Sequence, residues 1–243
     1  MTSLLQTSLG DLVAQNDRRA VLFDRLDLDY CCGGDQTLEA ACQARGLAPS
    51  TVAAALEALD AAPPAPDATA PATDWTSRPL PALIDHIVDT HHAYLRRTLP
   101  ELDALFARVS KVHSHDHPWL TDAADVFGRL RLELNAHMQK EETAIFPMIR
   151  SLAAGDARPT EDEAEALIAS AEDEHDEAGA ALRTLRTLSD DFTPPPDACG
   201  SFRRLLSGLD TLASDMHRHV HKENSILFPR ARRRLETQRA QTS

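Results

Sequence analysis

The sequence contains one eleven-residue motif twice. Residues 137–147 read HMQKEETAIFP, and residues 219–229 read HVHKENSILFP. Each copy holds a histidine followed four residues later by a glutamate, and on a helix such residues lie one turn apart on the same face. A ring nitrogen and a carboxylate then point at one spot, where a metal ion can bind. The two copies predict two half-sites and therefore a two-metal centre inside a helical bundle.

Polar residues on apolar helix faces extend this pattern to further helices. Core-facing positions of a bundle recur at steps of three and four. The apolar stripes of three predicted helices are each interrupted near the middle by a polar residue, whereas His86 only flanks its own stripe. A buried carboxylate is costly unless it is paired or bound to a metal. The candidate metal ligands are His86, His137, Glu141, His175, His219 and Glu223.

These six residues suit two divalent metals. Neutral imidazoles and two carboxylates carry a charge of about −2 against +4. If the carboxylates bridge, the protein supplies roughly 4 + 4 = 8 of the 12 positions of two six-coordinate ions, so positions remain for an exogenous ligand. Mixed imidazole and carboxylate ligands suit iron, although ligand type alone also admits zinc and manganese.

Another histidine pair lies around the second copy of the motif. His217 and His221 are also four residues apart, but each lies about 200° around the helix from His219. We therefore expect both to face the solvent, with an adventitious surface zinc site as the alternative.

The remaining histidines have weaker signals. His91 and His92 are predicted to turn away from His86 and to lie at the surface or behind the ligands. His113 ends a helix near the mouth of the bundle and is a candidate additional ligand or pocket residue. His115 and His117 are predicted to be loop residues.

Length, charge and cysteine content restrict the class of protein. The chain has 243 residues, a formal net charge of −13 and four cysteines. The acidic charge argues against binding a nucleic-acid backbone, and no apolar run approaches the roughly 20 residues needed to span a membrane. The N-terminus lacks the pattern of a signal peptide. We therefore expect a cytoplasmic protein with reduced cysteines that binds neither nucleic acid nor membranes.

A segment rich in proline and alanine, residues 61–78, is predicted to be a linker. It separates a small helical N-terminal module, residues 1–60, from residues 79–243, where the patterns predict four long helices and no strands. Pro100 is expected to kink or restart the first of these helices, and Thr160 and Glu163 form a capping box before the third. Short loops between long helices indicate an antiparallel four-helix bundle, so the predicted fold is all-α.

Together these motifs resemble those of the RIC proteins (repair of iron centres), di-iron proteins implicated in iron–sulfur cluster repair. LGDLVAQN, DYCCGG and TLEAAC resemble the small N-terminal domain of that family, with its vicinal cysteines. LIDHI, HMQKEETAIFP, EDEHDEAG, FTPPPDAC and HRHVHKENSILFP resemble its hemerythrin-like domain. The resemblance covers nearly the whole chain. It implies a hemerythrin-like bundle holding two non-haem irons on the same six residues, bridged by Glu141 and Glu223, with an oxo bridge as a further option. His113 matches a further histidine of the family.

The resemblance also implies a function. The expected activity is the repair of iron–sulfur clusters damaged by nitric oxide or oxidants, by donation of iron to damaged client proteins. Two alternatives stay open: an enzyme that reduces nitric oxide or peroxide at the di-iron site, and a hemerythrin-like binding protein that senses oxygen or redox state. Nitric oxide or oxygen would be the small ligands, and a homodimer is compatible with the sequence.

The cysteines carry a separate prediction. A disulfide between the neighbours Cys31 and Cys32 is strained, and adjacent cysteines fit one tetrahedral metal poorly. We interpret them as redox or iron-transfer thiols on a mobile module, the alternative being two incidental thiols in a turn. Cys42 is predicted to lie in the core. Cys199 lies near a helix start, where the pKa of a thiol can be depressed, but it is predicted to pack.

Overall fold

The protein is helical throughout the part that the structure describes. The computed structural model describes residues 4–63, 74–156 and 160–240. These residues form helices and one isolated antiparallel bridge between Ser8 and Thr37, with no strand among them. The predicted all-α fold is confirmed. Most of the predicted linker, residues 64–73, lies outside the described residues.

Four short helices form the N-terminal module. Ser8 caps the first, since its Oγ accepts the N–H of Asp11 at 3.1 Å, and Thr37 caps the third by accepting the N–H of Ala40 at 3.3 Å. Such caps satisfy N–H groups that have no partner within the helix. The helices are α1 (Leu9–Gln15), α2 (Arg19–Arg25), α3 (Leu38–Ala44) and α4 (Pro49–Ala61).

The core of this module is small and well filled. Phe23, Leu38, Cys42 and Leu56 are fully buried, and the predicted core position of Cys42 is confirmed. A partly exposed ion pair supplements these apolar contacts: Nη2 of Arg19 lies 2.5 Å from Oδ2 of Asp60. The pair joins α2 to the end of α4.

The rest of the chain forms four long helices. The predicted capping box before the third is confirmed, because Thr160 and Glu163 exchange hydrogen bonds between side chain and backbone. Three of the four contain a π-helical segment. The first is Leu80–His86, π-helical Ile87–His92 and Ala93–His113; the second is Trp119–Lys140, π-helical Glu141–Ile145 and Phe146–Ala154; the third is Glu161–Leu188; the fourth is Gly200–His221, π-helical Lys222–Leu227 and Phe228–Ala240.

The first long helix continues through Pro100, so the predicted restart there does not occur. Leu99 and Leu102, on either side of the proline, are both buried. Packing on both sides outweighs the one backbone hydrogen bond that proline removes.

Two of the three π-helical segments have an identifiable cause in the repeated motif. Pro147 and Pro229 each lie just after such a segment, as the second residue of the next α-helical stretch. A proline donates no N–H and its ring crowds the carbonyl four residues earlier, and a wider turn relieves that crowding. Single π-helical turns within α-helices often occur at functional sites.

The chain packs as two compact units. One consists of Met1–Leu83 and His217–Ser243, and the other of Ile84–Met216. The N-terminal module thus shares a unit with the end of the fourth long helix. The domain boundaries at residues 60 and 79 remain a prediction. In the described part of the chain, no helix combines the length and the apolar character that crossing a bilayer requires.

Candidate metal centre

Buried side chains from three long helices converge on one carboxylate within the unit Ile84–Met216. Oε2 of Glu141 lies 3.2 Å from Nε2 of His92 and 3.3 Å from Nε2 of His137. Nε2 of His137 lies 3.0 Å from Nε2 of His175. Ligand atoms of His137, Glu141 and His175 lie within 4.8 Å of one another. The four side chains form a buried group of nitrogen and oxygen donors, named here the His92–Glu141 cluster.

The chemistry of this cluster fits a cation. Glu141 is 0% exposed, and neither of its carboxylate oxygens accepts a hydrogen bond from the described residues. An ionised carboxylate in such a place is costly unless a positive charge compensates it. Ring nitrogens of three histidines surround it, and a metal ion bound between them would satisfy the carboxylate and the imidazoles together.

His92, rather than His86, supplies the imidazole of the first long helix. His86 is only half-buried, and its Nδ1 lies 3.2 Å from the hydroxyl of Thr90. The structure therefore does not bring this predicted ligand to the cluster. His91 and His92 are 3% and 0% exposed, so of the two positions expected for them, at the surface or behind the ligands, the first is wrong. The π-helical segment Ile87–His92 changes the register after His86 and directs His92 inward.

Glu174 orients the ring of His137. Its Oε2 lies 2.7 Å from Nδ1 of His137, while its Oε1 accepts a hydrogen bond from Nζ of Lys140 at 2.5 Å. Burial alone would raise the pKa of Glu174, but the hydrogen bonds from Lys140 and His137 hold it below its usual value. An ionised Glu174 favours hydrogen on Nδ1, which leaves Nε2 of His137 as a lone-pair donor facing Glu141.

Glu142 acts on His92 in the same way. Its Oε1 lies 2.6 Å from Nδ1 of His92, and both of its oxygens lie 2.8 Å from Nη2 of Arg96. Burial opposes ionisation of Glu142, but Arg96 and His92 keep its pKa below the usual value. Carboxylates behind histidine ligands of this kind fix the ring orientation and raise the basicity of the donor nitrogen.

The second copy of the motif forms a similar pair in the other unit. Nε2 of His219 lies 3.1 Å from Oε1 of Glu223, and both residues are 0% exposed. His219 lies on the last turn of Gly200–His221, and Glu223 lies in the π-helical segment Lys222–Leu227. Burial of both groups supports the inward direction predicted from the stripe.

The expectation that His217 and His221 face the solvent is wrong for His221, and His217 is only partly exposed. His221 is 4% exposed, and its Nε2 lies 2.9 Å from the carbonyl oxygen of Gly10, so this ring nitrogen donates. Burial lowers the pKa of His221 to about 4. Nδ1 of His217 lies 2.9 Å from Oδ1 of Asp24. The N-terminal module covers this outer helix face, which sequence periodicity alone assigns to solvent.

Close backbone packing fixes the module against the segment Lys222–Leu227. A side chain at Gly10 would place its Cβ 2.6 Å from Oγ of Ser225, and one at Gly34 would place it 2.7 Å from the carbonyl oxygen of Tyr30. The N–H of Gly10 donates to the carbonyl of Gly34 at 2.9 Å. A larger residue at Gly10 would press on Ser225, and one at Gly34 would press on the backbone of Tyr30, so both positions favour glycine.

The vicinal cysteines lie in the turn that follows α2. Cys31 is buried and Cys32 is partly exposed. Sγ of Cys31 lies 3.2 Å from Oδ1 of Asp29 and 3.9 Å from Sγ of Cys32. The hydrogen bond to Cys32, together with burial, raises the pKa of the Cys31 thiol well above its usual value. Nδ2 of Asn224 lies 3.4 Å from the carbonyl oxygen of Cys31, so the turn contacts the residue next to Glu223.

Asp29 completes a small group of potential ligands with these thiols. Burial alone would raise its pKa, but hydrogen bonds from Gly33, Cys31 and Cys32 together hold the pKa below the usual value. Its carboxylate oxygen and the two sulfurs lie within 4.8 Å of one another. An anionic oxygen beside two thiols favours a cation, and the Asp29 carboxylate adds to the raised pKa of the Cys31 thiol.

His113 and Cys199 lie apart from the His92–Glu141 cluster. Nε2 of His113 lies 3.3 Å from Sγ of Cys199. His113 therefore does not join the cluster as the additional ligand that its position in the sequence suggested. Cys199 is exposed, so the prediction that it packs is wrong.

A cavity of about 290 Å³ opens beside His137 and His175. Its wall combines acidic groups with one lysine: Glu133, Glu174, Glu177 and Lys140. Leu134, Ala136 and Ala178 complete the wall. Two of the imidazoles in the cluster are therefore next to a space large enough for a small molecule or a hydrated ion.

Comparison with known proteins places this arrangement in a family. Residues 83–231 match the family described as hemerythrin HHE cation binding domain, and that range includes both copies of the motif. The chain belongs to the hemerythrin HHE family. Its cluster of buried histidines and glutamates is that of a cation-binding domain, and the hemerythrin-like bundle predicted from the motifs is confirmed.

Relatives of this hemerythrin HHE protein match nearly its whole length. Residues 5–60 match a domain of unknown function, DUF542. The iron–sulfur cluster repair protein YtfE of Musicola paradisiaca is 38% identical over 228 residues, covering 94% of this chain and 97% of the relative. The protein of the same name from Escherichia coli O157:H7 is 36% identical over 223 residues, covering 92% and 95%. The predicted resemblance to cluster-repair proteins is confirmed.

His92 and the two orienting glutamates were missed by sequence reasoning, although the sequence carries a signal for the first. Leu95, Leu99 and Leu102 form a buried stripe on the first long helix. Extending that stripe back by three residues reaches His92. Glu142 and Glu174 each adjoin a member of the cluster, but which histidine they contact depends on how the helices pack.

Proposed function

We propose that this protein repairs iron–sulfur clusters damaged by nitrosative or oxidative stress, by donating iron from a di-iron centre. The names of its full-length relatives support this proposal. The buried carboxylate of Glu141, surrounded by imidazole nitrogens at 3.2 and 3.3 Å, is the observation that carries it. Such a group has no stable role in an apolar core without a cation.

The proposed ligands are one set of residues drawn from both copies of the motif. Internal repetition supports this set, because each copy contributes one His–Glu pair and a single family match spans both. His92 takes the place that the sequence assigned to His86. The proposed ligands are His92, His137, Glu141, His175, His219 and Glu223, with Glu141 and Glu223 as bridging carboxylates.

Iron is the proposed metal because of ligand chemistry. Imidazole and carboxylate donors suit iron, and four histidines with two glutamates leave positions for an exogenous ligand. Iron bound by these residues would supply redox chemistry and coordination positions at which ligands can exchange. The cavity beside His137 and His175 supports exchange, since carboxylates at its wall attract a cation and its volume admits small ligands.

The thiol turn is the proposed intermediate acceptor of iron. Thiolates are good ligands for iron, but the raised pKa keeps Cys31 protonated at rest. A cation bound at this turn would favour the thiolate, and the Asp29 carboxylate, whose Oδ1 is 3.2 Å from Sγ, would hold that cation together with the thiols. Damaged iron–sulfur proteins are the proposed clients, and the turn delivers iron to them.

The decisive experiment measures iron transfer by the anaerobically purified, iron-loaded chain. Iron is followed by element analysis while the protein is mixed with an iron–sulfur enzyme previously treated with nitric oxide. We expect recovery of enzyme activity together with loss of about two irons per chain. The double variant Cys31→Ser with Cys32→Ser should repair slowly at equal iron loading, and Cys199→Ser serves as the control thiol substitution.

The same experiment separates the alternatives. The cavity beside His137 also suits a reductase, which would consume nitric oxide or peroxide in steady turnover with a reductant and keep its iron. A sensor would bind oxygen reversibly without losing iron. Either result, combined with no recovery of the damaged enzyme, would contradict donation.

A further inference from the structure

A second group of titratable side chains lies in the unit Ile84–Met216 and shares no residue with the His92–Glu141 cluster. Nε2 of His113 lies 3.3 Å from Sγ of Cys199, and Nε2 of His117 lies 3.0 Å from Oδ2 of Asp197. The ring of Phe202 packs against both histidines, with its centroid 5.3 Å from that of His113 and 5.4 Å from that of His117. Packing on one aromatic ring therefore restricts both histidines.

Cys199 occupies the N-cap position of the helix Gly200–His221. Its carbonyl oxygen accepts the N–H of Arg203 at 3.0 Å, which is the first hydrogen bond of the helix. The sulfur thus stands where a serine or aspartate oxygen usually accepts backbone N–H groups. The N–H of Phe202, then the ring of His113 and the N–H of Ser201, lower the pKa of Cys199 below its usual value. The positive end of the helix dipole acts in the same direction.

Cys31 and Cys42, which are buried, have the opposite environment. Burial raises the pKa of Cys42, and the Cys31 thiol is held protonated by burial and by its neighbours. Cys199, in contrast, is exposed and has both an imidazole and a helix N-terminus at its sulfur. Thiolate character and access together determine thiol reactivity.

We propose that Cys199 is a site of reversible modification by small disulfides, with His113 as the residue that positions and stabilises its thiolate. The Cys199 thiolate attacks one sulfur of the disulfide. The disulfide bond breaks as a new bond forms to Cys199, and the other half leaves as a thiolate. The small disulfide is the oxidant, and each electron pair is accounted for within this exchange. No other cysteine occurs in residues 84–216, so no thiol of the same unit can displace the added group.

The test uses the full-length, iron-loaded chain and oxidised glutathione as the probe. The modified residue is identified by peptide mass spectrometry, and the rate is followed by intact mass across pH values from about 5 to about 9. We expect Cys199 to be modified first. His113→Gln should slow the reaction about fivefold at neutral pH and move the midpoint of the pH–rate profile upward. An added thiol should reverse the modification.

Matched variants make the outcome unambiguous. His115→Gln, an exposed histidine two residues from His113, should leave both rate and midpoint unchanged. Cys32→Ser should also leave them unchanged, whereas Cys199→Ser should abolish the early modification. Modification of Cys32 before Cys199 would overturn the assignment of the site. An unchanged rate and midpoint in His113→Gln would overturn the role of the histidine. Both comparisons are made between variants with equal helix content and equal iron loading.

Discussion

Nε2 of His92 lies 3.2 Å from Oε2 of Glu141, although the two residues belong to different long helices. The other ring nitrogen of His92, Nδ1, lies 2.6 Å from Oε1 of Glu142. The imidazole therefore bridges two consecutive glutamates of the second helix, one buried and one partly exposed. This relationship distinguishes His92 from the neighbouring histidines and leads to the first two predictions.

Replacement of His92 should cost more metal than replacement of His86. His92→Ala removes a buried donor of the cluster, so we expect iron to fall from about two to about one per chain or less. His86→Ala is the matched control, because it removes a half-buried histidine of the same helix. Element analysis after identical expression checks this. Equal losses in the two variants would mean that His92 is not a ligand.

Glu142→Gln should weaken metal binding without removing any ligand. The variant loses the charge that orients His92 and pairs with Arg96, and such partners typically contribute about 10-fold to 100-fold to metal affinity. Competition with a chelator measures the change. Glu101→Gln, an exposed position on the first long helix, is the control. Retention of wild-type affinity in Glu142→Gln would show that Arg96 or packing alone orients the histidine.

Glu141→Gln should affect the metal-free and metal-loaded proteins in opposite directions. Without metal, the wild-type chain carries a buried carboxylate that accepts no hydrogen bond from the described residues, so the neutral amide should stabilise it by about 1–3 kcal/mol. With metal, the variant should be the less stable of the two, because it lacks a charged ligand. Urea unfolding with and without iron measures both. A variant less stable than wild type in both states would indicate that the carboxylate is satisfied without a metal.

Gly10→Ala should destabilise the unit formed by the module and the end of the fourth long helix. The added Cβ would lie 2.6 Å from Oγ of Ser225, and overpacking of this kind costs about 1–3 kcal/mol. Because Ser225 is two residues from Glu223, iron retention should fall as well. Denaturant unfolding and iron content provide the two readouts.

Two further variants control this prediction. Gly128→Ala places a Cβ in open space within a helix and should stabilise the protein by about 0.5–1 kcal/mol. Adding Ser225→Ala to Gly10→Ala removes the closest atom and should restore part of the lost stability. A double variant no more stable than Gly10→Ala would place the strain elsewhere, at the carbonyl of Gly34.

The sequence by itself determined the helices and much of the buried group of histidines and glutamates. The step of four between His137 and Glu141, and between His219 and Glu223, lies within one helical turn, where local geometry alone places both side chains on one face. The capping box of Thr160 and Glu163 is equally local, and the structure contains it. Such features depend on residues a few positions apart, so the sequence is sufficient to predict them.

Only the tertiary structure decided which histidines are buried and what the outer helix faces contact. His92 takes the place of His86 in the cluster because the π-helical segment that follows His86 shifts the register of the helix. His221 is buried because the carbonyl of Gly10, remote in the sequence, lies over a face that periodicity assigns to solvent. The contact between His113 and the sulfur of Cys199 distinguishes this cysteine from the others, and the sequence does not show that contact. Periodicity predicts the direction of a side chain on its own helix. Burial and pKa depend on distant chain segments, and the sequence alone does not predict where those segments pack.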